Sequence, residues 1–347
     1  MTIGAAWHLA PAPPDLRVLE EDLMKVFVAG STGALGLPLV RALRAAGHTV
    51  VGLTRSEIKR RSLEEAGAEA VIGDVLDAAR MKSVVADASP DALVEILNAL
   101  PKAGPRKFSD LEQTNLLRIA GTRNLLAAAG AAGVRRFVAE SMIFGYGGNR
   151  DGRPFTEDSP FAPRSPVPEV QPALDALRSL EGQVMEATRS GAVEGIVLRF
   201  GLFYGPSAGS SAFMVRMLKR RMLPLPGGGT NRISLIQLDD AAAAVVAALE
   251  RGEPGGVYNI ADDEPVTAGD YLREVARVVG ARPPLKVPRW VARLGGRYVA
   301  LMSSGSLTVA NDKAKRELGW TLRYPTYREG AATLAPRPAL ANQGDVQ

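Results

Sequence analysis

The chain has 347 residues, of which 46% are hydrophobic and 23% charged, so it is long enough for one large α/β unit or two modest domains. It has no cysteine, and its two histidines, His8 and His48, lie near the start, which argues against disulfides, a thiolate nucleophile and a metal site. The net charge of +5 comes mostly from arginines scattered along the chain, so no nucleic-acid partner is expected.

We expect no membrane or export signal in this sequence. No uncharged apolar run approaches the roughly 20 residues that span a bilayer, so no membrane contact is expected. Residues 1–23 lack the basic start and long apolar core of a signal peptide, so we expect a cytoplasmic protein. We predict that residues 1–23 form a flexible extension and that residues 336–347 form an equally loose tail.

From Lys25 onward, predicted strands and helices alternate. Short β-rich apolar runs predict strands at KVFVAG, HTVVGLT, AEAVIGD, DALVEIL, VRRFVAES and GIVLRFG. Apolar residues at helical spacing predict helices at GLPLVRALRAAG, EIKRRSLEEAG, DAARMKSVVADA, LEQTNLLRIAGTRNLLAAAGAAG and PALDALRSLEGQVME. This alternation is typical of an α/β protein with a doubly wound parallel sheet covered on both faces.

Beyond Gly201 the regular alternation ends. SAFMVRMLKRRMLPLPGGG predicts a helix and a turn, SLIQLDDAAAAVVAALERG a short strand and a helix, and GGVYNIADDEPVT a strand leaving the sheet. Later helices are predicted at YLREVARVVG and NDKAKRELGW. We predict a first domain of residues 24–200, to which about 233–260 return, and a smaller C-terminal substrate domain of residues 201–232 and 261–335.

A glycine motif follows the first predicted strand. VFVAGSTGALG places Gly30, Gly33 and Gly36 at the start of the first helix, with Thr32 and Leu35 between them. Glycines there let the backbone turn tightly and approach a pyrophosphate, while the helix N-terminus faces its negative charge. A simple strand-to-helix turn is the alternative, but the repeated βα units favour a Rossmann dinucleotide-binding site.

The end of the second strand bears on which dinucleotide is bound. An NAD site usually has a carboxylate there for the ribose 2′-hydroxyl, whereas VVGLTRSEIKRR has Thr54 and Arg55, with Lys59 and Arg60 one turn later. We therefore predict NADP(H), with NAD possible, and Arg55 as a contact to the 2′-phosphate. A solvated helix start is the alternative reading of these cations.

Seven motifs occur in a familiar order: the glycine pattern, GDVLD, RRFVAES with YG after it, LRFGLFYGP, QLDDAAAAVVAAL, GGVYNIADDEP and KAKRELGW. Together they resemble the extended short-chain dehydrogenase/reductase family, of the NAD-dependent epimerase/dehydratase type, over about residues 24–335. The resemblance implies a Rossmann domain, a nicotinamide coenzyme and a small-molecule substrate. It also implies a homodimer formed through two long helices, at about 108–132 and 172–190.

The resemblance also implies which residues line the coenzyme. They are Asp74 and Val75 beside the adenine, Asn98, Ala99 and Leu100 along the path to the nicotinamide ribose, and Phe200 and Leu202 near the nicotinamide. Asp74 has an alternative role as the cap of the helix that begins near Asp77. Tyr204 and Gly205 are expected to form a turn that shapes the pocket.

One feature of the family is missing. Its members carry a Tyr and, four residues later, a Lys on the helix before the LRFG-type strand, where the Lys lowers the Tyr pKa and the Tyr exchanges a proton with substrate. Aligning PALDALRSLEGQVM with that helix places Ala176 and Leu180 at these positions, and no lysine occurs between Lys107 and Lys219. The usual dyad is therefore predicted to be absent.

Three residues near the end of the fifth strand are candidates for the proton transfer. Ser141 is one, although alignment places Met142 at the family's Ser/Thr position, and a buried structural hydroxyl is the alternative. Glu140 is an acid or base if it is partly buried, and a solvated or Arg136-paired carboxylate otherwise. Tyr146 either reaches into the cleft or packs in the core.

One arginine departs from the family's pattern, and other basic residues are candidates for binding a diphosphate. Arg118 replaces the family's Asn three residues before GT, which changes the buried hydrogen bonding under the active site and indicates an atypical branch. A nucleotide-sugar diphosphate would need cations, for which the candidates are Arg216, Lys219, Arg220 and Arg232, although the exposed face of a helix explains them equally well.

Two functions follow from these features. The first is an NADP(H)-dependent oxidoreductase or epimerase that acts on a small carbonyl, enone or sugar-nucleotide-like substrate. The second is a non-catalytic dinucleotide-binding protein that senses redox state or regulates a partner. Such a binding protein would need the glycine turn but not the dyad.

Overall fold

The computed structural model describes residues 23–148, 152–303 and 305–336. The predicted N-terminal extension and C-terminal tail lie outside the described residues, apart from Leu23 and Pro336 at their inner ends. Within the described ranges, no helix is long and apolar enough to cross a membrane.

The strands are named in chain order. They are β1 (Lys25–Ala29), β2 (Thr49–Thr54), β3 (Glu69–Ile72), β4 (Ala92–Glu95), β5 (Arg136–Met142), β6 (Glu194–Phe200), β7 (Leu202–Tyr204), β8 (Leu225–Pro226), β9 (Arg232–Ile233), β10 (Leu235–Gln237), β11 (Val257–Ile260), β12 (Val266–Thr267) and β13 (Lys286–Val287). Seven of them form one parallel sheet in the order β11-β6-β5-β4-β1-β2-β3.

The α-helices are also named in chain order. They are α1 (Gly36–Ala45), α2 (Glu57–Glu65), α3 (Ala78–Ala88), α4 (Glu112–Leu116), α5 (Thr122–Ala131), α6 (Gln171–Arg189), α7 (Gly209–Lys219), α8 (Leu238–Arg251), α9 (Ala268–Val278), α10 (Arg297–Met302), α11 (Asp312–Leu318) and α12 (Tyr327–Ala332). A π-helical turn, Leu117–Gly121, joins α4 to α5.

Helices cover both faces of the seven-stranded sheet. Along β1, Val26 and Val28 face a core that includes α1 and α8, whereas Phe27 and Ala29 face a core that includes α3, α5 and α6. Successive side chains of a strand point to opposite faces, so an uninterrupted apolar run such as VFVA is buried on both sides. The predicted doubly wound Rossmann sheet is confirmed.

The long helix predicted before β5 contains one irregularity. Its hydrogen-bonding changes to the π pattern over Leu117–Gly121 before the α pattern resumes at Thr122. At Gly121 an added Cβ would lie 3.2 Å from side-chain atoms of Leu97 and Val75, so the π turn packs closely on the loops after β3 and β4. Single π turns of this kind are frequent at functional sites.

The C-terminal part has its own apolar cluster, centred on Tyr204, Leu218, Tyr271, Val275 and Tyr327. In the same part of the chain, short strands form pairs: β7 with β10, β8 with β13 and β9 with β12. The prediction that GGVYNIADDEPVT leaves the sheet is wrong for its first half, because β11 adds to the central sheet beside β6. The boundaries of the two domains and the substrate-binding role of the second stay predictions.

The strand order predicts a ligand-binding crevice at the carboxyl ends of the strands. From β1 the chain proceeds outward to β2 and β3, then returns to the other side of β1 at β4. In open α/β sheets, ligands bind outside the carboxyl ends of the strands where this order reverses. The residues that follow β1, β4 and β5 therefore lie around the expected site.

Candidate active site

The turn after β1 is built so that backbone can pack against backbone. Gly30 has φ of +99°, and a Cβ on it would lie 2.3 Å from the carbonyl oxygen of Ile96. A Cβ on Gly36 would lie 2.3 Å from the backbone of Ser31. Gly33 is exposed, and its nearest obstacle is the Gly30 carbonyl oxygen at 3.2 Å, so its outer side is open to a ligand. Any side chain at Gly30 or Gly36 would displace the turn.

The first helix presents free amide groups at this turn. Leu35 is the N-cap of α1, no side chain caps the helix, and its first turn has no acidic residue. Thr32 is half-buried in the same turn. The unsatisfied N–H groups and the positive end of the helix dipole together suit an anion. The turn thus fits the pyrophosphate of a dinucleotide.

The end of β2 carries a cation and no carboxylate. Thr54 is buried, and its Oγ1 accepts a hydrogen bond from the Ser56 amide. The Arg55 side chain is 60% exposed and lies 3.8 Å from the Asp74 carboxylate. Exposed pairs of this length contribute little to stability, so the guanidinium remains available to an incoming phosphate.

Asp74 does not cap the following helix. Its Oδ1 accepts a hydrogen bond from the Leu76 amide, whereas the cap of α3 is Asp77, which accepts from the Arg80 amide. Val75 is buried, and its carbonyl accepts a hydrogen bond from Asn124. The alternative role for Asp74 as that cap is therefore wrong.

The loop after β4 has a defined shape. The exposed Asn98 accepts a hydrogen bond from the Leu100 amide at 2.8 Å, and the Ala99 amide donates to Thr114 at 3.1 Å. These bonds fix the shape of the loop. The Ile96 amide donates a hydrogen bond to the Ala29 carbonyl, which holds the start of the loop beside the glycine turn.

Phe200 and Leu202 differ in accessibility. The Phe200 side chain is fully buried, with its ring centroid 5.1 Å from that of Phe203, whereas Leu202 is half-buried. A coenzyme contact by the Phe200 side chain would therefore require the core to open. The predicted role of Leu202 remains compatible with its exposure.

A buried polar network links β5, β6, β11 and α6. Ser141 donates to Glu181 at 2.6 Å, and Arg199 donates to both Glu181 oxygens at 3.0 and 2.7 Å. Arg199 also donates to the Tyr146 hydroxyl, which donates in turn to Asn259, both at 2.8 Å. The network pairs its charges internally and ties four elements together beneath the crevice.

This network bears on two of the candidate proton donors. Since β5 continues through Met142, Ser141 and Met142 point to opposite faces of the sheet. Tyr146 packs flat on Phe155, with ring centroids 5.0 Å apart, and burial raises its pKa. The arrangement favours the structural alternatives for Ser141 and Tyr146.

Glu140 belongs to a second buried group of charges. Arg136 pairs instead with Glu194, and Glu140 is only 6% exposed, so neither the solvated nor the Arg136-paired alternative is observed. The nearby charged groups are Arg118 on the π turn and Glu95 at the end of β4. Burial raises the pKa of Glu140 to about 7, against the opposing effect of Arg118.

Sequence reasoning missed Glu95. Its carboxylate is 1% exposed, accepts a hydrogen bond from Thr122 at 2.6 Å, and has a second oxygen without a partner among the described residues. Burial raises its pKa to about 8. The available signal was an acidic residue inside the apolar run ALVEIL, because a carboxylate is rarely placed in a buried strand without a role.

The helix that carries the family's Tyr and Lys is apolar at the aligned positions. Ala176 and Leu180 of α6 are both buried, and α6 contains neither a tyrosine nor a lysine.

The candidate cations for a diphosphate are exposed. Arg216, Lys219 and Arg220 lie at the end of α7, and Arg216 stacks over Phe213 at 5.3 Å. Arg232 of β9 donates to the Pro265 carbonyl at 2.9 Å. Their role in binding substrate stays a prediction.

Comparisons with known proteins agree with this architecture. Residues 26–261 match the model of the NAD dependent epimerase/dehydratase family, and the chain belongs to that family. The chain is 38% identical to a 3-diazoavenalumate denitrifying reductase from a Streptomyces species, over 88% of this chain and 99% of the relative. It is 27% identical to a 4-hydroxy-2-methyl-3-oxo-4-farnesyl-3,4-dihydroquinoline-1-oxide ketoreductase of Stigmatella aurantiaca, over 90% and 96%.

A solved structure supports the same fold. The UDP-glucose 4-epimerase of Thermotoga maritima, determined with UDP-glucose, superposes with a TM-score of 0.75 at 21% identity, over 89% of this chain and 97% of that one. The predicted family resemblance and the Rossmann fold are therefore confirmed.

Removing one partner from the buried network should destabilise the protein. Glu181→Gln leaves the Arg199 guanidinium buried without a counter-charge, so we expect the free energy of unfolding to fall by about 3–5 kcal/mol. Urea unfolding measures this loss. Glu186→Gln on the same helix removes an exposed partner of Arg189 and should change the free energy by less than about 1 kcal/mol. Equal effects of the two substitutions would contradict the role given to the network.

The buried Glu95 should make stability depend on pH. Its folded pKa of about 8 exceeds the unfolded value, so its contribution is complete at low pH and is lost as pH rises through about 8. Between pH 5 and pH 9, the free energy of unfolding should therefore fall by about 1–3 kcal/mol less in Glu95→Gln than in wild type. Thermal unfolding across this range measures the slope, with the exposed Glu65→Gln as control. Parallel slopes in all three proteins would show that Glu95 ionises normally.

Proposed function

We propose that the protein is an NADP(H)-dependent reductase that acts on a small electrophilic substrate without the Tyr–Lys dyad of its family. The observation that carries the proposal is the combination of an intact glycine turn at Gly30–Gly36 with an α6 that offers no proton-donating side chain at Ala176 or Leu180. The coenzyme, when bound, supplies hydride. The protein supplies its position and excludes water.

The proposed coenzyme preference rests on charge. Arg55 is exposed at the end of β2, a strand that ends without a carboxylate of its own, and the one carboxylate that the described residues place near its guanidinium is that of Asp74, at 3.8 Å. Arginine forms charge-assisted, often bidentate hydrogen bonds with phosphate. These features support NADP(H) over NAD(H).

The missing dyad restricts the substrates that the protein can reduce. A ketone needs a proton on its oxygen as hydride arrives at carbon, and a buried Met142 and Leu180 cannot provide one. A diazonium cation needs no proton, because hydride forms the new C–H bond while the C–N electron pair leaves with N₂. We therefore propose a diazonium compound as the substrate class, and the name of the 38% identical relative contains the related diazo group.

Turnover separates this proposal from its alternatives. Purified protein with NADPH is offered an aryl diazonium salt, an α-diazo ester, a ketone, an enone and UDP-glucose, and NADPH oxidation and N₂ release are followed. We expect one N₂ per NADPH with the aryl diazonium salt and little reduction of the ketone or the α-diazo ester, which both need a proton. Epimerised UDP-glucose would favour the epimerase function instead. Coenzyme binding without turnover on the whole panel would favour a redox sensor.

A homodimer is also proposed. Leu116 and Ile119, at the junction of α4 with the π turn, are 44% and 41% exposed, and Gln183 of α6 donates to the Ile119 carbonyl. These two neighbouring helical segments offer an apolar surface compatible with pairing across a two-fold axis. Analytical ultracentrifugation of wild type and Ile119→Glu tests the pairing, which predicts a dimer that dissociates in the variant.

Arg55 should distinguish the two coenzymes. Arg55→Ala removes a cation from the expected position of the 2′-phosphate, so the dissociation constant for NADPH should rise about 10- to 100-fold while that for NADH changes little. Fluorescence titration measures both constants. Arg60→Ala is the matched control, because this exposed arginine is already held by Glu57 and Glu64. Equal losses for NADPH and NADH in Arg55→Ala would contradict the assignment.

A further inference from the structure

A short helix of the C-terminal part, α10, is attached to two separate elements of the first domain. The Arg297 guanidinium forms an ion pair with the Glu169 carboxylate, which lies in the 3₁₀ turn before α6. The next residue, Tyr298, packs edge-on against Phe108, with ring centroids 5.3 Å apart and ring planes at 80°. Phe108 lies in the connection between β4 and α4.

Both attachment points lie at the carboxyl ends of the strands. Because α6 connects the parallel strands β5 and β6, it runs back along the sheet, and Glu169 before its first turn lies at that edge. Phe108 belongs to the loop after β4 that begins with residues 98–100, which are predicted to lead to the nicotinamide ribose. On the same loop, the Lys102 carbonyl oxygen lies 2.6 Å from where a Cβ on Gly209 of α7 would be. The C-terminal part therefore spans the edge at which ligands are expected.

The segment that makes these contacts has almost no core of its own. No residue of α10 is buried, and the 3₁₀ helix Arg289–Gly295 before it buries only Ala292. By contrast, α12 is also six residues long and buries three of its residues. Segments with few buried side chains open at a small cost in free energy. Gly296 joins the two helices with φ of +96°, a conformation that glycine adopts without strain, so it suits a hinge.

We propose that residues 289–302 form a strap that closes the substrate end of the crevice, and that its contacts with Phe108 and Glu169 set the size of substrate that enters. This inference rests on the proposed reductase function for the identity of the substrate. The strap opens about Gly296 when the two contacts are released.

A cover of this kind suits the proposed chemistry. An aryl diazonium cation reacts with water as well as with hydride. Water forms a C–O bond as N₂ leaves with the C–N electron pair, which gives a phenol and a proton. Hydride forms a C–H bond instead, which gives the arene and N₂. Closing a site excludes water and so suppresses hydrolysis of a reactive substrate.

Hydrogen exchange of α10 tests the strap without turnover. Phe108→Ala and Glu169→Ala each remove one contact and leave the sequence of α10, and hence its intrinsic exchange rates, unchanged. Loss of the aromatic contact should speed the exchange of amides 297–302 about 2- to 10-fold. Loss of the exposed ion pair should speed it by up to about 5-fold. The double variant should exchange faster than either single variant, because both contacts stabilise the same closed state.

Matched variants separate the strap from general loosening. Phe108→Tyr keeps the ring and should exchange like wild type. Glu264→Ala removes an exposed partner of Arg328 on α12, outside the strap, and should leave the exchange of α10 unchanged. The amides of β5 serve as the internal reference and should not respond. Unchanged exchange of α10 in the double variant would overturn the inference, and so would an equal acceleration of β5 or an equal effect of Glu264→Ala.

Substrate size completes the test. We compare the kcat/KM values of benzenediazonium and of the longer biphenyl diazonium salt. The preference of wild type for the smaller salt should fall at least about 5-fold in Phe108→Ala and persist in Glu264→Ala. An unchanged preference in Phe108→Ala would contradict the role of the strap in selecting substrates and leave the reductase proposal standing. No turnover of either salt by wild type, with the differences in exchange intact, would contradict the reductase proposal and keep the strap as a cover of the crevice.

Discussion

The contact between Gly30 and the carbonyl of Ile96 is the constraint on which the site depends. It joins the ends of β1 and β4 at the point where the order of strands reverses, with no room for a Cβ between them. Because the two strand ends meet so closely, the amides of the glycine turn and the loop at 98–100 border one crevice. The helix dipole of α1 and the cation at Arg55 lie at the same end of the sheet as this contact.

Charge is distributed in two different ways beneath that crevice. In the network, Glu181, Arg199 and Tyr146 bond one another and fix the geometry of β5, β6 and α6, while the Nδ2 atom of Asn259 is buried without a partner among the described residues. In the second group, one carboxylate oxygen of Glu95 is buried without a partner among the described residues, at a cost in stability. Such a cost is usually found where function needs the groups.

The sequence predicts the sheet well because its strands are short apolar runs between helices of clear periodicity, and β1 to β6 all lie where these runs occur. The alternation of side chains along a strand also predicts that Ser141 and Met142 face opposite sides. The π turn was not predictable, since NLLRIAGT suits a regular α-helix and the close packing of Gly121 on Leu97 and Val75 depends on loops distant in sequence. The pairing of Arg136 with Glu194 and the partnership of Glu181 with Arg199 depend on distant elements, so local pattern could not reveal which carboxylates would be neutralised.

Calorimetric titration of the folded protein with NADPH and with NADH tests the central claim most directly. A phosphate-bearing dinucleotide held by the amides of the turn at Gly30–Gly36 should bind one molecule per chain, with NADPH bound more tightly than NADH. Detectable heat with neither coenzyme at millimolar concentration would contradict the account, because every role assigned to the crevice presumes that the coenzyme lies in it.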